Sequence, residues 1–529
     1  MNDIKKAIND YRAMRWLVLV MVSVLMFATY WFQDFMSPLQ DMMRETWGFS
    51  NSDFGAVIGL TTIANMFGAI IIGGVILDRF GPRVCIFIFG GLAALGGVLA
   101  TMGAEGFFGE ELEARRNAMI AGRIAFGIGL EVTCVLVSKT VVKWFKGHEL
   151  ALAMSVNVGF GRLGSMIGIM FSADIAAAFS DGDPTPAPAV RFAAILIGIG
   201  VIAFIAHLVF DAKLEADRKR LAVKKTEEEE KAAAADDEKF RLSDLVKLVR
   251  NPSFLFVALL CVTFYSAVFP FIQYAPDLLV NKFGFTKILP DLSNASLGEK
   301  IGAWLQNGPK VAGLIPFGTL FMTPIFGAII DRKGKAASLM MLGSALLIFA
   351  HLSLSVFDSV ALGYAGLLAL GVAFSLVPSA MWPSVAKIVP EKRLGTAYAT
   401  MFTLQNWGLG AFFYGIGKVL DLANPDAVEL KQKAAEIKDG LTEKVLALGD
   451  KVKEGADQVK VGLEEGFITE KEAETLRQAE TVLFDYTTPI LMLVFLGGIS
   501  IVLAFLLKRA DKKQRYGLEL PSGQTPDEA

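Results

Sequence analysis

The sequence predicts an all-α membrane protein with twelve transmembrane helices in two six-helix bundles and a polar helical insertion between helices 11 and 12. Hydrophobic residues make up 53% of the 529 residues, and the mean hydropathy is +0.49. These values are too apolar for an ordinary soluble chain of this length. Twelve apolar segments are each about 20 residues long, which is the length needed to cross a bilayer. A short loop motif also occurs twice, about half a chain apart.

The apolar segments fall into two sets of six. Residues 1–210 are predicted to form the first bundle, and residues 251–421 to supply helices 7–11 of the second. Residues 211–250 between them are rich in Lys, Glu and Ala, and predict a charged cytoplasmic linker. Helix 12 is expected at 482–510, followed by a cytoplasmic tail at 511–529.

Residues 422–481 break the two-fold plan because they are polar. Their apolar residues recur at alternating intervals of three and four, which is a heptad-like stripe. Gly462 and Gly466 are expected to break this segment into a helical hairpin on the non-cytoplasmic side. Two alternatives remain open, a solvated spacer with one apolar face and a docking element for a protein partner. The stripe consists of Leu430, Ala434, Ile437, Leu441, Val445, Leu448 and Val452.

The distribution of lysine and arginine predicts the orientation. The short loops after helices 2, 4, 8 and 10 are basic, whereas loops on the other side include the acidic run at 105–113. Lys and Arg are concentrated on the cytoplasmic side of membrane proteins. Both termini are basic near the membrane and are therefore expected in the cytoplasm. The first apolar stretch is too long for a signal-peptide core and is therefore predicted to be an uncleaved first span.

The repeated motif lies where an apolar helix ends. Residues 74–83 read GVILDRFGPR, and residues 327–335 read GAIIDRKGK. Asp78 and Asp331 occupy the same place in the two copies, 253 positions apart (331 minus 78). This duplicated loop resembles the G-x-x-x-D-[RK]-x-G-R pattern of the major facilitator superfamily. The resemblance implies a two-bundle carrier that works by alternating access.

A further series of motifs stands in order along the chain: WFKGHEL at 144–150, GRLGS at 161–165, VFPF at 268–271, MWP at 381–383, and LGTAY at 394–398 followed by Gln405 and Asn406. This series resembles the lysosomal dipeptide transporter branch of that superfamily. In that branch, a glutamate in helix 4 and an arginine in helix 5 hold the two ends of a dipeptide, and Glu131 and Arg162 match those positions. The branch is also associated with uniport. Its lysosomal sorting signal has no visible counterpart here, and the 422–481 insertion is not part of its pattern. We therefore expect a homologue in a bacterial inner membrane.

The chemistry of Glu131 and Arg162 can be argued without the resemblance. Both lie near the middle of apolar segments, where a charge costs at least about 2.5–3.5 kcal/mol and is expected to face a cavity or an opposite charge. A zwitterionic peptide needs an anion for its ammonium group and a forked cation for its carboxylate. The alternative is a salt bridge between Glu131 and Arg162 that only joins two helices.

Other residues are assigned weaker roles. Trp382 is expected either to stack on a substrate side chain or to pack in an interface. Gln405 and Asn406 are adjacent on a helix, so only one is expected to face the cavity squarely. Asp34 is expected to be a gate residue or an interfacial one, and the loop residues to be gating elements or a topology-setting basic turn. The remaining substrate-binding candidates are Tyr265 and Tyr30, and the remaining conformational candidates are Asp78, Arg79, Arg83, Arg123, Asp331 and Arg332.

The sequence carries no signature of an enzyme. The three histidines do not cluster, and the three cysteines lie in apolar segments, so we predict no metal site and no cofactor. The net charge of −2 indicates no nucleic-acid partner. We predict a monomeric secondary transporter for dipeptides that works by uniport. The alternatives are an organic-anion or amino-acid carrier, and a membrane scaffold or sensor acting through residues 422–481.

Overall fold

The computed structural model describes residues 7–145, 148–180, 183–222, 248–390, 393–446, 458–521 and 524. Within these ranges the chain is helical with short connections, and its only β-type pairing is an isolated bridge between Thr286 and Asn307. The structure confirms the predicted all-α class. Residues 223–247 of the predicted linker lie outside the described residues.

The first half supplies six spans. Its second span is bent by 56° between Asn51–Met66 and Ala69–Leu77. The N-cap Ser50 starts this span through a capping box with Asp53, which satisfies backbone N–H groups at the helix end. The helices are α1 (Arg12–Asp34), α2 (Gln40–Trp47), α3 (Asn51–Gly59), α4 (Ile63–Met66), α5 (Ala69–Cys85), α6 (Gly91–Ala104), α7 (Leu112–Phe145), α8 (Leu150–Ala178) and α9 (Ala187–Ala222).

The second half repeats this plan and adds the insertion. Asn251 caps its first span, and Pro252 occupies the first helical position, where a missing N–H costs nothing. The helices are α10 (Pro252–Phe283), α11 (Leu297–Leu305), α12 (Gly308–Ala312), α13 (Leu314–Lys333), α14 (Ala336–Ser355), α15 (Val360–Ile388), α16 (Leu394–Ala423), α17 (Pro425–Leu446), α18 (Gln458–Glu464), α19 (Glu470–Thr481) and α20 (Thr487–Gln514).

Ten of the described helices are long and apolar enough to cross a membrane, and the bent pair makes an eleventh span. The 30-residue helix α16 is the twelfth span. Helix α1 packs on α8 and α9 in the first half, and α14 packs on α15 and α20 in the second. These contacts produce the two six-helix bundles. Helix α9 extends twelve residues past the predicted end of the first bundle at 210 (222 minus 210).

The backbone confirms that the two loop motifs are structural repeats. Gly81 has φ 78° and ψ 177°, and Gly334 has φ 69° and ψ −139°. These residues are also 253 positions apart (334 minus 81). Both occupy a region of φ/ψ space that is essentially restricted to glycine. The duplicated sequence therefore encodes a duplicated turn.

Contacts between the halves concentrate on the side opposite the chain termini. The guanidinium of Arg44 binds Asp277 at 3.1 and 2.5 Å. The backbone N–H and the side-chain amide of Asn51 both donate to Asp421 at 2.9 Å. Lys310 forms an ion pair with Asp174. We call these contacts the outer closure. The protein is closed on the side away from its termini.

The insertion folds into the predicted hairpin and docks on the first half. The turn contains Gly466 at φ 69°, and α17 packs against α19 and α2. Lys431 on α17 binds Glu45 at 3.0 Å and Asp41 at 3.5 Å. The hairpin core consists of Ala434, Leu441, Val445, Ile468, Ala473, Leu476 and Ala479. Leu448 and Val452 of the predicted stripe lie outside the described residues.

Candidate substrate cavity

A cavity of about 210 Å³ lies between the two halves. Helices α1, α4, α7 and α8 line it from the first half, and α10, α15 and α16 line it from the second. All seven predicted substrate-binding residues are in its wall, and so is Asp34. The lining residues are Tyr30, Gln33, Asp34, Thr61, Thr62, Asn65, Leu130, Glu131, Cys134, Arg162, Tyr265, Phe269, Gln273, Trp382, Phe402, Gln405, Asn406, Leu409 and Phe413.

Glu131 and Arg162 face this cavity without an ionic partner. In the described structure they do not form an ion pair, and neither donates or accepts a side-chain hydrogen bond. The guanidinium of Arg162 lies over the ring of Phe374 in the second half, 4.9 Å from its centroid. The alternative of a salt bridge that joins the two helices is therefore wrong for this conformation. An anion and a cation instead face the same space. Arg162 interacts electrostatically with Asp34, but among the described residues no ion pair or hydrogen bond holds either side chain, so each can bind a group of opposite charge.

The end of the cavity nearer the outer closure is formed around Asp34. Its carboxylate accepts hydrogen bonds from Ser165 in the first half and from Nε2 of Gln273 in the second, the latter at 2.5 Å. Ser165 is three residues after Arg162, so Asp34 lies about one helical turn from the level of Arg162. Asp34 is 7% exposed. It is therefore a buried link between the halves and not an interfacial residue.

Arg123 lies behind Asp34, inside the first half. Its guanidinium donates to Thr61 Oγ1 at 3.0 Å and to the backbone oxygens of Phe32 at 2.6 Å and Gln33 at 3.1 Å. The side chain is fully buried. These bonds tie α7 to α1 and to the helix break in the second span. The structural or conformational role of Arg123 stays a prediction.

An aromatic wall closes the second-half side of the cavity. The indole N–H of Trp382 donates to the hydroxyl of Tyr265 at 3.1 Å. Trp382 also stacks on Phe402, with ring centroids 5.0 Å apart, and Tyr265 stacks on Phe269 at 5.3 Å. Trp382 thus packs in an interface and also lines the cavity, and its stacking on a substrate side chain stays a prediction.

Gln405 and Asn406 both line the cavity, although we expected only one of them to face it squarely. Gln405 accepts a hydrogen bond from Cys261 Sγ at 3.4 Å. Asn406 donates to the backbone oxygen of Phe402, one turn earlier in the same helix, at 2.9 Å. Each of the two side-chain amides therefore has a hydrogen-bond partner while its residue lines the cavity.

Several polar residues of the wall were not predicted from the sequence, and Asn65 and Gln273 are the clearest of them. Asn65 donates from Nδ2 to the backbone oxygen of Gly127 at 3.2 Å, which is one turn before Glu131. The side-chain oxygens of Asn65 and Gln273 are buried without a hydrogen-bond partner. A polar side chain within an apolar segment was the available signal, because such residues in spans usually face a cavity or another helix.

The two loop motifs lie on the side of the termini, away from the cavity. Arg79 lies over the ring of Phe80, 5.4 Å from its centroid. Arg83 is 3.9 Å from Glu215 of its own half. Asp331 interacts electrostatically with Lys387, and Arg332 is exposed. The side chain of Asp78 lies outside the described part of the chain. The gating roles of these residues stay predictions.

Among the described residues, no group of three or more His, Cys, Asp or Glu side chains is arranged to hold a metal ion. Cys85, Cys134 and Cys261 are not joined by disulfide bonds.

Comparison with known proteins agrees with the fold and with the sequence motifs. A profile of the family described as Major Facilitator Superfamily matches residues 19–413. The lysosomal dipeptide transporter MFSD1 of Homo sapiens is 29% identical over 418 residues, covering 77% of this chain and 80% of the relative. The protein of the same name from Danio rerio is 27% identical over 415 residues, covering 77% and 81%.

Solved structures support the same architecture at lower sequence identity. A bacterial homologue of the human lysosomal transporter Spinster, in an inward-facing and occupied conformation, has a TM-score of 0.57 at 13% identity, covering 94% of this chain and 98% of that one. The inward-open xylose transporter XylE from E. coli has a TM-score of 0.57 at 15% identity, covering 88% and 99%. At these identities the similarity concerns the fold alone.

Proposed function

The chain belongs to the major facilitator superfamily, and on this basis we propose that it carries dipeptides across a membrane by alternating access. The superfamily comprises transporters and not enzymes, so a small-molecule substrate and a membrane location follow from the family. The identity of the substrate is our proposal. It rests mainly on one observation, the unpaired Glu131 and Arg162 in the wall of one cavity between the halves.

The free charges favour a zwitterionic substrate. Each would be costly to leave unpaired at membrane depth. A dipeptide brings an ammonium group for Glu131 and a carboxylate for Arg162, and the planar guanidinium can bind that carboxylate with two hydrogen bonds. Two extended residues span about 7 Å, so charges on two neighbouring helices can hold both peptide ends. The contacts would then involve the peptide backbone, which every dipeptide shares.

An organic anion is a weaker candidate for the same site. It would satisfy Arg162 but would bring a second negative charge near Glu131. The relatives named lysosomal dipeptide transporters favour the peptide as well. A free amino acid carries the same two charges, so it remains the closest competitor and must be tested directly.

The transport cycle follows from the outer closure. We assign the present conformation as inward-facing, with the termini in the cytoplasm. Opening to the opposite side requires Arg44 to separate from Asp277, Lys310 from Asp174, and Asn51 from Asp421. The hairpin adds a further layer because it continues from the second half and binds the first through Lys431. Rocking of one bundle against the other would break these bonds together.

We further propose uniport. Asp34 is the only acid of α1, and both of its oxygens already accept hydrogen bonds from Ser165 and Gln273. Glu131 is the evident partner for the substrate ammonium group, so binding a proton and binding the peptide would compete for one carboxylate. This competition disfavours obligatory proton coupling.

A ligand screen on the purified protein tests the proposal. A ligand that binds only the folded protein raises its melting temperature by mass action. We expect Ala-Ala to raise it in a concentration-dependent manner, and alanine, trialanine and succinate to raise it much less. Uptake of labelled Ala-Ala into proteoliposomes should saturate and be inhibited by other dipeptides. Stabilisation by succinate but not by any dipeptide would contradict the proposal.

A further inference from the structure

Helix α11 carries an exposed apolar stripe in the loop between the first two spans of the second half. None of its nine residues is buried. Leu297, Ile301 and Leu305 are 75%, 53% and 40% exposed, and Trp304 is partly buried. Positions 297, 301, 304 and 305 follow helical spacing, so these side chains form one stripe about 100° wide. Glu299 lies on the opposite side of the helix.

A contact with α15 defines the level of α11. The hydroxyl of Tyr364 donates to the backbone oxygen of Leu305. Tyr364 is in the second turn of α15, which crosses the membrane from Val360 to Ile388. Leu305 therefore lies at the level where α15 enters the apolar layer. Leu368, one turn deeper on the same face of α15 as Tyr364, is 67% exposed. Its surroundings in a membrane are lipid.

We propose that α11 is an interfacial anchor that lies in the lipid bilayer surface on the side opposite the termini. Its stripe continues the lipid-facing surface of α15 at the level set by Tyr364. A tryptophan in this stripe is typical of the membrane–water interface. Within the helix, Glu299 and Lys300 are the only charged residues. Their charges cancel, so the anchor binds by inserting apolar side chains and not by attraction to anionic headgroups.

The anchor restrains a segment that carries part of the outer closure. Two residues after α11 ends, Asn307 caps α12 by accepting a hydrogen bond from the backbone N–H of Lys310 at 3.1 Å. Lys310 forms an ion pair with Asp174 in the other half and lies 3.9 Å from the centroid of the Phe171 ring. Holding α11 at the membrane surface thus fixes the second-half side of this contact. The inference does not depend on the identity of the substrate.

Spin labels on the full-length protein in phosphatidylcholine nanodiscs test the anchor. Cys85, Cys134 and Cys261 are first replaced by alanine, and a single label is then attached at Ile301→Cys or at Glu299→Cys. The second position is the matched control on the opposite face, and Ser296 still accepts the backbone N–H bond there. Accessibility is measured with oxygen, which partitions into lipid, and with an aqueous nickel complex.

We expect the oxygen-to-nickel accessibility ratio to be high at position 301 and low at position 299. Adding phosphatidylglycerol should leave both ratios unchanged. Equal nickel access at the two positions would overturn the proposal, because the stripe would then lie in water. Protection of position 301 that appears only with phosphatidylglycerol would indicate headgroup attraction and would also overturn it. Spin–spin broadening at 301 would show that a second copy covers the stripe.

Discussion

The carboxylate of Asp34, in the first half of the protein, accepts a hydrogen bond from the side-chain amide of Gln273, in the second half, at 2.5 Å. This bond lies in the wall of the central cavity, at the end nearer the outer closure, and it joins the two halves. A movement that opens the outer closure must lengthen it. This pair therefore connects the substrate cavity to the relative position of the two halves.

Replacing Gln273 should favour the outward-open conformation. Gln273→Leu removes the donor, and losing a buried hydrogen bond of this type costs about 1–3 kcal/mol. Gln273→Glu should act more strongly, because it places a second carboxylate beside Asp34. Spin labels at Glu113 and Asp291, exposed positions in the two halves on the outer side, should report a longer mean distance in both variants.

The matched control for this experiment is Gln478→Leu. Gln478 is exposed on the hairpin and bonds only Glu474 of its own helix. Its replacement should leave the label distance unchanged. A parental distance in Gln273→Glu would mean that the Asp34–Gln273 bond does not contribute to closure.

Glu131 and Arg162 should both be required for dipeptide binding. We expect Glu131→Ala and Arg162→Ala each to abolish the thermal stabilisation by Ala-Ala while the proteins remain folded. Arg162→Lys should also lose most binding, because an ammonium group cannot form the two parallel hydrogen bonds of a guanidinium. Each loss should exceed tenfold in Kd, which corresponds to about 1.4 kcal/mol.

Glu105 and Arg191 provide matched controls in the same half. They form an exposed ion pair at 3.3 Å, and such pairs contribute little to stability. Glu105→Ala and Arg191→Ala should bind dipeptides as the parent does. If both cavity variants also bind normally, the substrate site is elsewhere.

Breaking the hairpin contact should favour the outward-open conformation and leave the substrate site intact. Lys431 is 4% exposed and binds Asp41 and Glu45 of the first half. We expect Lys431→Ala to lengthen the outer-side label distance, with Ala-Ala affinity changed less than about twofold. Lys433→Ala is the control, since Lys433 is exposed and pairs with Glu429 of its own helix.

Replacing residues 425–481 by a short linker distinguishes the hypothesis of a transporter from that of a membrane scaffold or sensor. We expect transport of Ala-Ala in proteoliposomes to survive, because none of the hairpin residues that the structure describes lines the cavity. Loss of cellular function with transport intact would instead favour a scaffold or sensor that acts through the hairpin.

A single methyl group at Gly334 should destabilise the second half. Its φ of 69° is strained for other residues, and a Cβ there would lie 2.5 Å from the backbone oxygen of Glu519 in the C-terminal segment. We expect Gly334→Ala to cost about 1–3 kcal/mol, measured as a lower melting temperature. Gly327→Ala in the same motif is the control, because no atom lies within 4 Å of its added Cβ. Equal melting temperatures for the two variants would contradict this prediction.

Transport should proceed without obligatory proton movement. Proteoliposomes containing a pH-sensitive dye should take up Ala-Ala without acidification of the lumen. An imposed proton gradient should not drive accumulation above equilibrium. Acidification that accompanies uptake, together with such accumulation, would instead identify a proton symporter.

Much of the fold could be predicted from the sequence because membrane spans are read from local composition. A run of apolar residues must become a helix in lipid, where each backbone polar group needs an internal partner. The repeated motif also predicted a repeated turn, since Gly81 and Gly334 supply a conformation that other residues resist. The duplicated loop further indicated the family. The stripe from Leu430 to Val445 predicted a helix with one apolar face, because local periodicity defines that face, and the hairpin break was predicted from Gly462 and Gly466.

Only the tertiary structure decided which polar groups meet. The positions of Glu131 and Arg162 allowed either a mutual salt bridge or two free charges, and the choice depends on how α7 and α8 face the second half. The link between Asp34 and Gln273, 239 residues apart, has no local signal at all. Likewise, no local sequence pattern indicated which surface binds Lys431. Helix formation depends on neighbouring residues, whereas a cavity and its closure depend on the packing of distant ones, so local sequence predicted the spans and packing decided the site.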